Sequence, residues 1–363
     1  MKTNWSTKKL GEIAVEIIGG GTPRRNVSEY WNGDIPWMTV EDINDHFYIQ
    51  ETKQFISQKG LENSNAKLIP SGSVILSCTA SVGNVAINKI SLTTNQQFNS
   101  FVCKKEIVPE FLAYFLIFQK RKIEKLGGIT TFPFISKGLI SNLKISLPPL
   151  KIQKQIVEKL DKIAEARKLN DELIQKTDEL FQSLLHQELN PAGKDWEENK
   201  FISCIEKNPL KIKGISRDKY QNIGKFPIID QSEKFIVGYT DDESKVYKIS
   251  SPVIIFGDHT RIFKYIDFNF AIGADGTQII IPISKIIIPK FFYFQMLNLK
   301  INNLGYSRHF KILKTKKIII PPLKTQKQIV AKLSAVQDYK KQLLEQKVKL
   351  KELFDSALCK SMR

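Results

Sequence analysis

The chain has 363 residues, 42% hydrophobic and 25% charged, a balance that excludes a disordered or low-complexity class and leaves room for two or three domains. Lysine and arginine outnumber aspartate and glutamate by 55 to 37, a formal net charge of +18, so the expected partner is a polyanion: nucleic acid first, an anionic membrane surface second. No stretch approaches the roughly 20 apolar residues of a spanning helix, MKTNWSTKKLGEIAVEIIGGG (1–21) lacks the apolar run of a signal peptide, and Cys78, Cys103, Cys204 and Cys359 lie far apart without zinc spacing, so a soluble, reduced, cytoplasmic chain with no disulfide framework, metal site or membrane partner is expected.

The first region, 1–147, mixes short β-type runs with Gly, Asn, Asp and Pro punctuation, the clearest runs being 73–76 and 85–87. PEFLAYFLIFQKRKIEKL (109–126) reads as a buried helix opened by Pro109. PPLKIQKQIVEKL (148–160) then opens about forty residues free of Gly and Pro, which predicts a long helix over 148–189. A second mixed region, 190–320, follows with strands expected at 252–256 and 278–283 and a buried helix at 289–304. It ends in PPLKTQKQIVAKL (321–333), which opens a second long helix over 321–363.

Eleven of the thirteen residues in the two Pro-Pro phrases are identical at an offset of 173, so the chain is an internal repeat. Weaker echoes agree. WSTKKL (5–10) matches WEENKF (196–201), and GDIPW (33–37) matches GKFPI (224–228), both at 191; VILS (74–77) matches VIIF (253–256) at 179; VPEFLAYF (108–115) matches IPKFFYFQ (288–295) at 180. The falling offset means that the first copy carries about eighteen more residues, shed in stages before Pro148. The layout is two α+β domains, each followed by a helix of about 60 Å.

Those helices carry a seven-residue seam, the period of a coiled coil: Ile329, Val336, Leu343, Leu350 and Ala357 on the second, matched by Ile156, Ile163, Asn170, Thr177 and Leu184 on the first. Short connections at both ends predict an antiparallel pair, and the polar Asn170 and Thr177 are expected to fix its register. From Lys324 to Arg363 the second helix has ten basic and four acidic residues, whereas Lys151 to Leu189 has seven and eight, so the pseudo-symmetry does not extend to charge; the excess is read as solvated.

Catalytic signatures are missing. GGGTPRR (19–25) lacks the Lys-Ser or Lys-Thr of a P-loop and reads as a flexible loop with a phosphate contact through Arg24 or Arg25. There is no G-x-G-x-x-G and no H-E-x-x-H; Asn190-Pro191 and Asn208-Pro209 do not continue into an amino-methyltransferase motif; ETK (51–53) lacks the aspartate-bearing apolar strand of a nuclease. The four histidines (46, 186, 259 and 309) define no catalytic triad. A binding protein without a catalytic centre is expected, and recognition should sit in loops. In the second domain the candidate stretches are DQSEKF (230–235), GDHTRIFKY (257–265) and GYSRHFK (305–311), with Lys234, His259, Thr260, Arg261, Lys264, Ser307, Arg308, His309 and Lys311 as the base- or phosphate-contacting types. In the first they are GGGTPRRN (19–26), SCTASVGN (77–84) and GGITTFPFISKG (127–138), with Arg24, Arg25, Thr79, Ser81, Thr131 and Lys137.

The duplicated PPLK-x-QKQIV-x-KL phrase, GGTPRRNVSEYWNGDIPWMTVEDI (20–43), FGDHTRIFKYIDFNFAIGADGTQII (256–280) and the run from SRHFK to IIIPPL (307–323) together resemble the specificity subunits of type I restriction–modification systems over essentially the whole chain. The resemblance implies two tandem DNA target recognition domains separated by two long antiparallel helices with pseudo-twofold symmetry. It implies that each domain reads half of a bipartite site in double-stranded DNA through the major groove. The helix pair would set the spacer and dock two modification subunits, through the seam and helix-start residues Gln155, Ile156, Leu160, Asn170, Thr177, Gln328, Ile329, Leu333, Leu343 and Leu350. Restriction subunits would complete the assembly. No cofactor is expected on this chain; S-adenosylmethionine, ATP and Mg are expected on the partners. A free-standing sequence-specific DNA-binding regulator built from the same two domains is the alternative, and a scaffold with incidental charge is a third reading.

Overall fold

The computed structural model describes residues 5–43, 47–79, 81–126, 134–207, 213–273, 276–303, 305 and 307–362. The chain divides into two units, Met1–Asn170 with Gln346–Arg363, and Asp171–Glu345. Both units are α+β.

In the first unit the run expected at 73–76 becomes the strand Val74–Ser77, buried at every position. It pairs antiparallel with Val85–Asn88 and with Phe98–Cys103. Ala14–Gly19 and Tyr48–Ile49 complete a five-stranded sheet. A smaller sheet joins Gln54–Ile56, Trp31–Met38 and Thr93–Thr94, the last pair parallel. One face of the large sheet is covered by the helix Pro109–Phe118, in which Phe111 to Leu116 are all buried. A helix apolar all round can only be a core element, and Pro109 at its first turn supplies its start. The single helix expected over 109–126 is interrupted at Gln119 and resumes as Lys120–Leu126. The core under the sheet includes Val157, Leu160 and Ile163 from the first long helix, and Phe354, Ala357, Leu358 and Met362 from the end of the second.

The second unit repeats this plan with fewer strands. Val253–Gly257 pairs antiparallel with Phe263–Ile266 and Thr277–Ile280, as Val74–Ser77 does with its two neighbours. Phe226–Ile229 runs parallel to Phe270–Ile272 and aligns Ile228 with Ala271, just as Trp37 aligns with Thr93. The helix Pro289–Asn298 ends earlier than the expected 304. Its Phe291, Phe292 and Phe294 pack with Phe201, Phe256, Leu185, Leu189, Ile329 and Leu333. In each unit a two-stranded antiparallel ladder joins the unit's first strand to the residues just before Pro-Pro: Ser6–Lys9 with Lys144–Leu147, and Glu197–Lys200 with Lys317–Ile320. The weak echo between WSTKKL and WEENKF is therefore a repeated strand.

The long helices run Leu150–Glu188 and Leu323–Met362. Within the second unit they are antiparallel: Lys332 pairs with Glu188 at 2.8 Å and Lys340 with Asp178 at 2.5 Å, so residue numbers rise on one helix as they fall on the other. Ile163, Asn170, Thr177, Ile329, Leu343 and Ala357 of the seven-residue seam are buried, while Ile156, Leu184, Val336 and Leu350 are half-buried. Thr177 tolerates burial because its hydroxyl donates to the carbonyl of Leu173 one turn back, at 2.6 Å. No helix among the described residues is long and apolar enough to cross a membrane.

Candidate nucleic-acid interface

In the second unit the strand Phe226–Ile229 delivers Asp230, whose Oδ1 accepts from the amide (2.8 Å) and hydroxyl (2.6 Å) of Ser232 and turns the chain. The hairpin between Val253–Gly257 and Phe263–Ile266 closes through Gly257 N–H to Ile262 O at 2.9 Å and Arg261 N–H to Gly257 O at 2.7 Å. Its geometry demands glycine at 257, where a Cβ would stand 2.1 Å from Thr260 Oγ1, and places Arg261 in the left-handed region at φ 64°. Gln231 ties this hairpin to the preceding loop: its Oε1 accepts from His259 N–H at 3.1 Å and its carbonyl from Thr260 Oγ1 at 2.5 Å. Asp258 ties the hairpin to the third stretch: its carbonyl accepts from His309 N–H at 2.9 Å and its Oδ1 from Phe310 N–H at 2.7 Å. The stretches 230–235, 257–265 and 305–311, whose extremes are 81 apart in number, thus form one loop cluster.

The cluster presents some of its basic residues and consumes others. Lys234, Thr260, Arg308 and Lys311 are exposed; His259, Arg261 and Ser307 are half-buried. Arg261 spends one guanidinium donor on Ile301 O at 3.2 Å. Two expectations are corrected. Lys264 is 4% exposed, and its ammonium donates to Asp230 O at 2.8 Å and Lys234 O at 2.6 Å, so it holds the 230–235 loop from beneath rather than facing outward. Burial pushes its proton affinity below the ordinary lysine range, and the nearby Asp230 carboxylate partly restores it. His309 is fully buried, with Nδ1 2.9 Å from the carbonyl of Asp258; a carbonyl only accepts, so the proton sits on Nδ1. Arg217, not singled out in the sequence, extends an exposed guanidinium to 4.0 Å from Asp230.

In the first unit the glycine-rich stretch is pinned, not flexible. A Cβ on Gly20 would lie 1.9 Å from Asn95 O, and one on Gly21 2.3 Å from the Asn65 carbonyl carbon, so glycine is there for close backbone approach. Gly21 N–H donates to Thr94 O at 2.8 Å, and Thr22 Oγ1 to Gln96 Oε1. The neighbouring Gln97 O accepts from Cys78 N–H at 2.7 Å, and Cys78 O from Ile135 N–H at 3.1 Å. The turn 94–97, which carried no sequence signal beyond its polarity, thus links the first two stretches, and Cys78 joins them to Ile135 of the third. Arg24 and Lys137 are exposed, Thr79 and Ser81 half-buried; Thr131 lies outside the described residues. Cys78 is a packing residue: Asn99 Nδ2 donates to its sulfur at 3.0 Å, and burial pushes its thiol up to about 11.

The Pro-Pro junctions show the same construction twice. Gln153 is fully buried; its Oε1 accepts from Val108 N–H at 2.9 Å, and its Nε2 donates to Glu106 O at 3.0 Å and Pro148 O at 2.8 Å. Gln326, 173 residues on, accepts from Ile288 N–H at 2.8 Å and donates to Ile286 O and Pro321 O, both at 2.9 Å. One amide in each copy therefore joins the start of the buried helix to the start of the long one. Gln155 and Gln328, expected to face a partner, are exposed, whereas Leu160 and Leu333 are buried. Leu150, Lys151, Lys154 and Lys159 and their copies Leu323, Lys324, Lys327 and Lys332 are exposed as well.

Comparison with known proteins matches this duplicated arrangement. The family model for the type I restriction modification DNA specificity domain matches residues 2–177 and again 194–352. The specificity subunit of the type I restriction enzyme MjaIX from Methanocaldococcus jannaschii is 34% identical over 181 residues, 48% of this chain and 41% of that one. The EcoR124I/EcoR124II specificity subunit of Escherichia coli is 31% identical over 201 residues, 51% and 48% of the two chains. The alignments thus span less than half the length of either relative. In fold, the S subunit of a type I restriction-modification system from M. genitalium superposes with a TM-score of 0.66 at 15% identity, covering 100% of this chain and 97% of that one. The HsdS subunit from Thermoanaerobacter tengcongensis gives 0.52 at 20% identity over the same shares. With one match on each copy of the repeat and most of its residues inside them, the chain belongs to the type I restriction modification DNA specificity family.

Proposed function

We propose that this chain is the non-catalytic DNA-specificity subunit of a type I restriction–modification assembly, each domain reading one half of a bipartite site and the helix pair setting the spacer. The observation that carries this reading is a contrast inside the repeat. Gln153 and Gln326 are identical because the same backbone groups must be joined. Gln155 and Gln328, Lys154 and Lys327, Lys151 and Lys324 are identical and exposed, so the fold itself does not require them. One partner binding twice does. The loop clusters, by contrast, share almost no residues, as two domains reading different half-sites require. Two modification subunits, holding S-adenosylmethionine for adenine methylation, are the partner proposed for the repeated surface; restriction subunits supply ATP- and Mg-dependent chemistry.

The test is a domain exchange. Replacing residues 1–147 by the corresponding region of a relative, expressed with a modification subunit, is expected to change one half of the methylated sequence and leave the other half and the spacer intact. Sequencing of methylated adenines reads the result. A change in both halves ends independent readout, and no bipartite methylation by the unaltered assembly ends the functional reading itself.

A further inference from the structure

We infer that Arg25 reads a guanine in the half-site of the first domain, held for that task in a corner of two tryptophans. The inference rests on the DNA-reading function proposed above. The Arg25 guanidinium lies 4.1 Å from the ring centre of Trp31 and 4.9 Å from that of Trp37, and the two indoles meet nearly at right angles, 86° apart with centres 5.0 Å apart. Neither indole has a hydrogen to offer a ligand: Trp37 donates to Gly21 O at 3.0 Å and Trp31 to Arg24 O at 3.1 Å. Both are therefore fixed by the same loop that presents the arginine. Gln54 Oε1 takes one donor from Nη1 at 3.0 Å and sets the rotation of the fork.

Three features turn this corner outward. Arg25 is exposed, and among the described residues no carboxylate pairs with it. Its planar fork is already ordered, which removes much of the side-chain entropy that binding would otherwise cost. The apolar cluster beneath it, Trp37, Ile56 and Ala66 with Trp31, Ile35 and Leu61, contains no residue of the long helices, so the corner belongs to the domain's own recognition part. A phosphate could be met by any cation in many orientations. A guanidinium held over two indole rings, with one donor fixed by Gln54, suits the O6 and N7 acceptors of guanine, which lie in one plane.

The second domain lacks the corner. Ile228, which aligns with Ala271 as Trp37 does with Thr93, stands at the place of Trp37, and no tryptophan follows Trp196 in the sequence. The two-tryptophan corner thus occurs in one half of the duplicated chain.

The test uses the complete assembly with modification subunits and a pool of duplexes randomised in both half-sites, bound at several salt concentrations. Arg25→Lys, which keeps the charge but not the fork, and Arg25→Ala are both expected to relax one guanine position of the first half-site by about 10- to 100-fold, with the second half-site and the salt slope unchanged. Uniform weakening across sequences with the slope reduced by about one would make Arg25 a phosphate contact and overturn the inference. So would an unchanged site combined with a lower thermal midpoint, the mark of a structural staple. If the unaltered assembly selects no sequence at all, the DNA-reading function falls first and the inference with it.

Discussion

Replacing Gln153 by alanine is expected to destabilise the first unit by about 3 kcal/mol. The deletion leaves three backbone groups without their partner at once, the buried carbonyl of Pro148 and the part-buried Val108 amide and Glu106 carbonyl. A net hydrogen bond contributes only about 1 kcal/mol, but a buried group left unmade costs about 1–3 kcal/mol, so the count of orphaned groups decides the size. Gln153→Glu should be as harmful, because a carboxylate accepts but cannot donate to two carbonyls. Gln326→Ala repeats the experiment in the second unit, where Ile288 N–H, Ile286 O and Pro321 O lose the same contacts. Gln155→Ala and Gln328→Ala, at exposed positions, should change stability by no more than about 0.5 kcal/mol. Urea unfolding followed by amide exchange at Val108 and Ile288 reads each unit separately. Equal stability of Gln153→Ala and Gln155→Ala would mean that water replaces the amide at no cost, and the junction would lose its role.

That pair of glutamines marks where the sequence stops being informative. The phrase Q-K-Q is identical in both copies, so repetition alone gives no reason to prefer one glutamine over the other. A step of two residues turns a helix by about 200°, enough to carry one side chain into the core and the other into solvent. The phase of the helix against its domain is a property of packing, and it was set by Val157 and Leu160 docking under the sheet. What periodicity does carry was legible: the long helices, their seam, the Pro-initiated helices full of phenylalanine, and the strands around Val74 and Val253. The ends were not. Nothing in FLIFQKRKIEKL announces that the helix breaks at Gln119, because every residue there is compatible with helix.

The loops were legible as chemistry but not as geometry. The three stretches of the second domain stand out by residue type, and they converge in the fold. Which of their cations face outward depended on Asp230 and Gln231, two residues whose role is to organise the turn. In the first domain, GGGTPRR reads as flexible from composition because glycine permits many conformations; it is rigid in the fold because Gly20 and Gly21 let the backbone of Asn95 and Asn65 come closer than any side chain would allow. The tryptophan corner around Arg25 needed Trp31, Trp37 and Gln54 to meet in space, and their spacing in the sequence has no period that would reveal it.

Lys264 offers the sharpest separation of structure from recognition. Lys264→Ala should cost about 3 kcal/mol, from a cavity under the hairpin and from two carbonyls, Asp230 O and Lys234 O, that lose their donor. Lys264→Met, which refills the volume, should cost less, because it also removes the penalty of burying an ammonium group. The pH dependence has a definite sign. Burial holds the folded-state pKa below the ordinary 10.5, so between the two values the unfolded chain binds more protons and folding strengthens as pH rises. The stability of the unaltered chain relative to Lys264→Met should therefore grow toward pH 10.5 and level off beyond it. In DNA binding the outcome should be the opposite of a contact residue's: a lysine on a phosphate contributes about one to the salt slope, whereas Lys264→Met should leave the slope where it was and weaken binding only as far as the 230–235 loop loosens. Unfolding curves across pH, set beside affinities at three salt concentrations, decide it, and a slope lowered by one with stability unchanged would return Lys264 to the DNA.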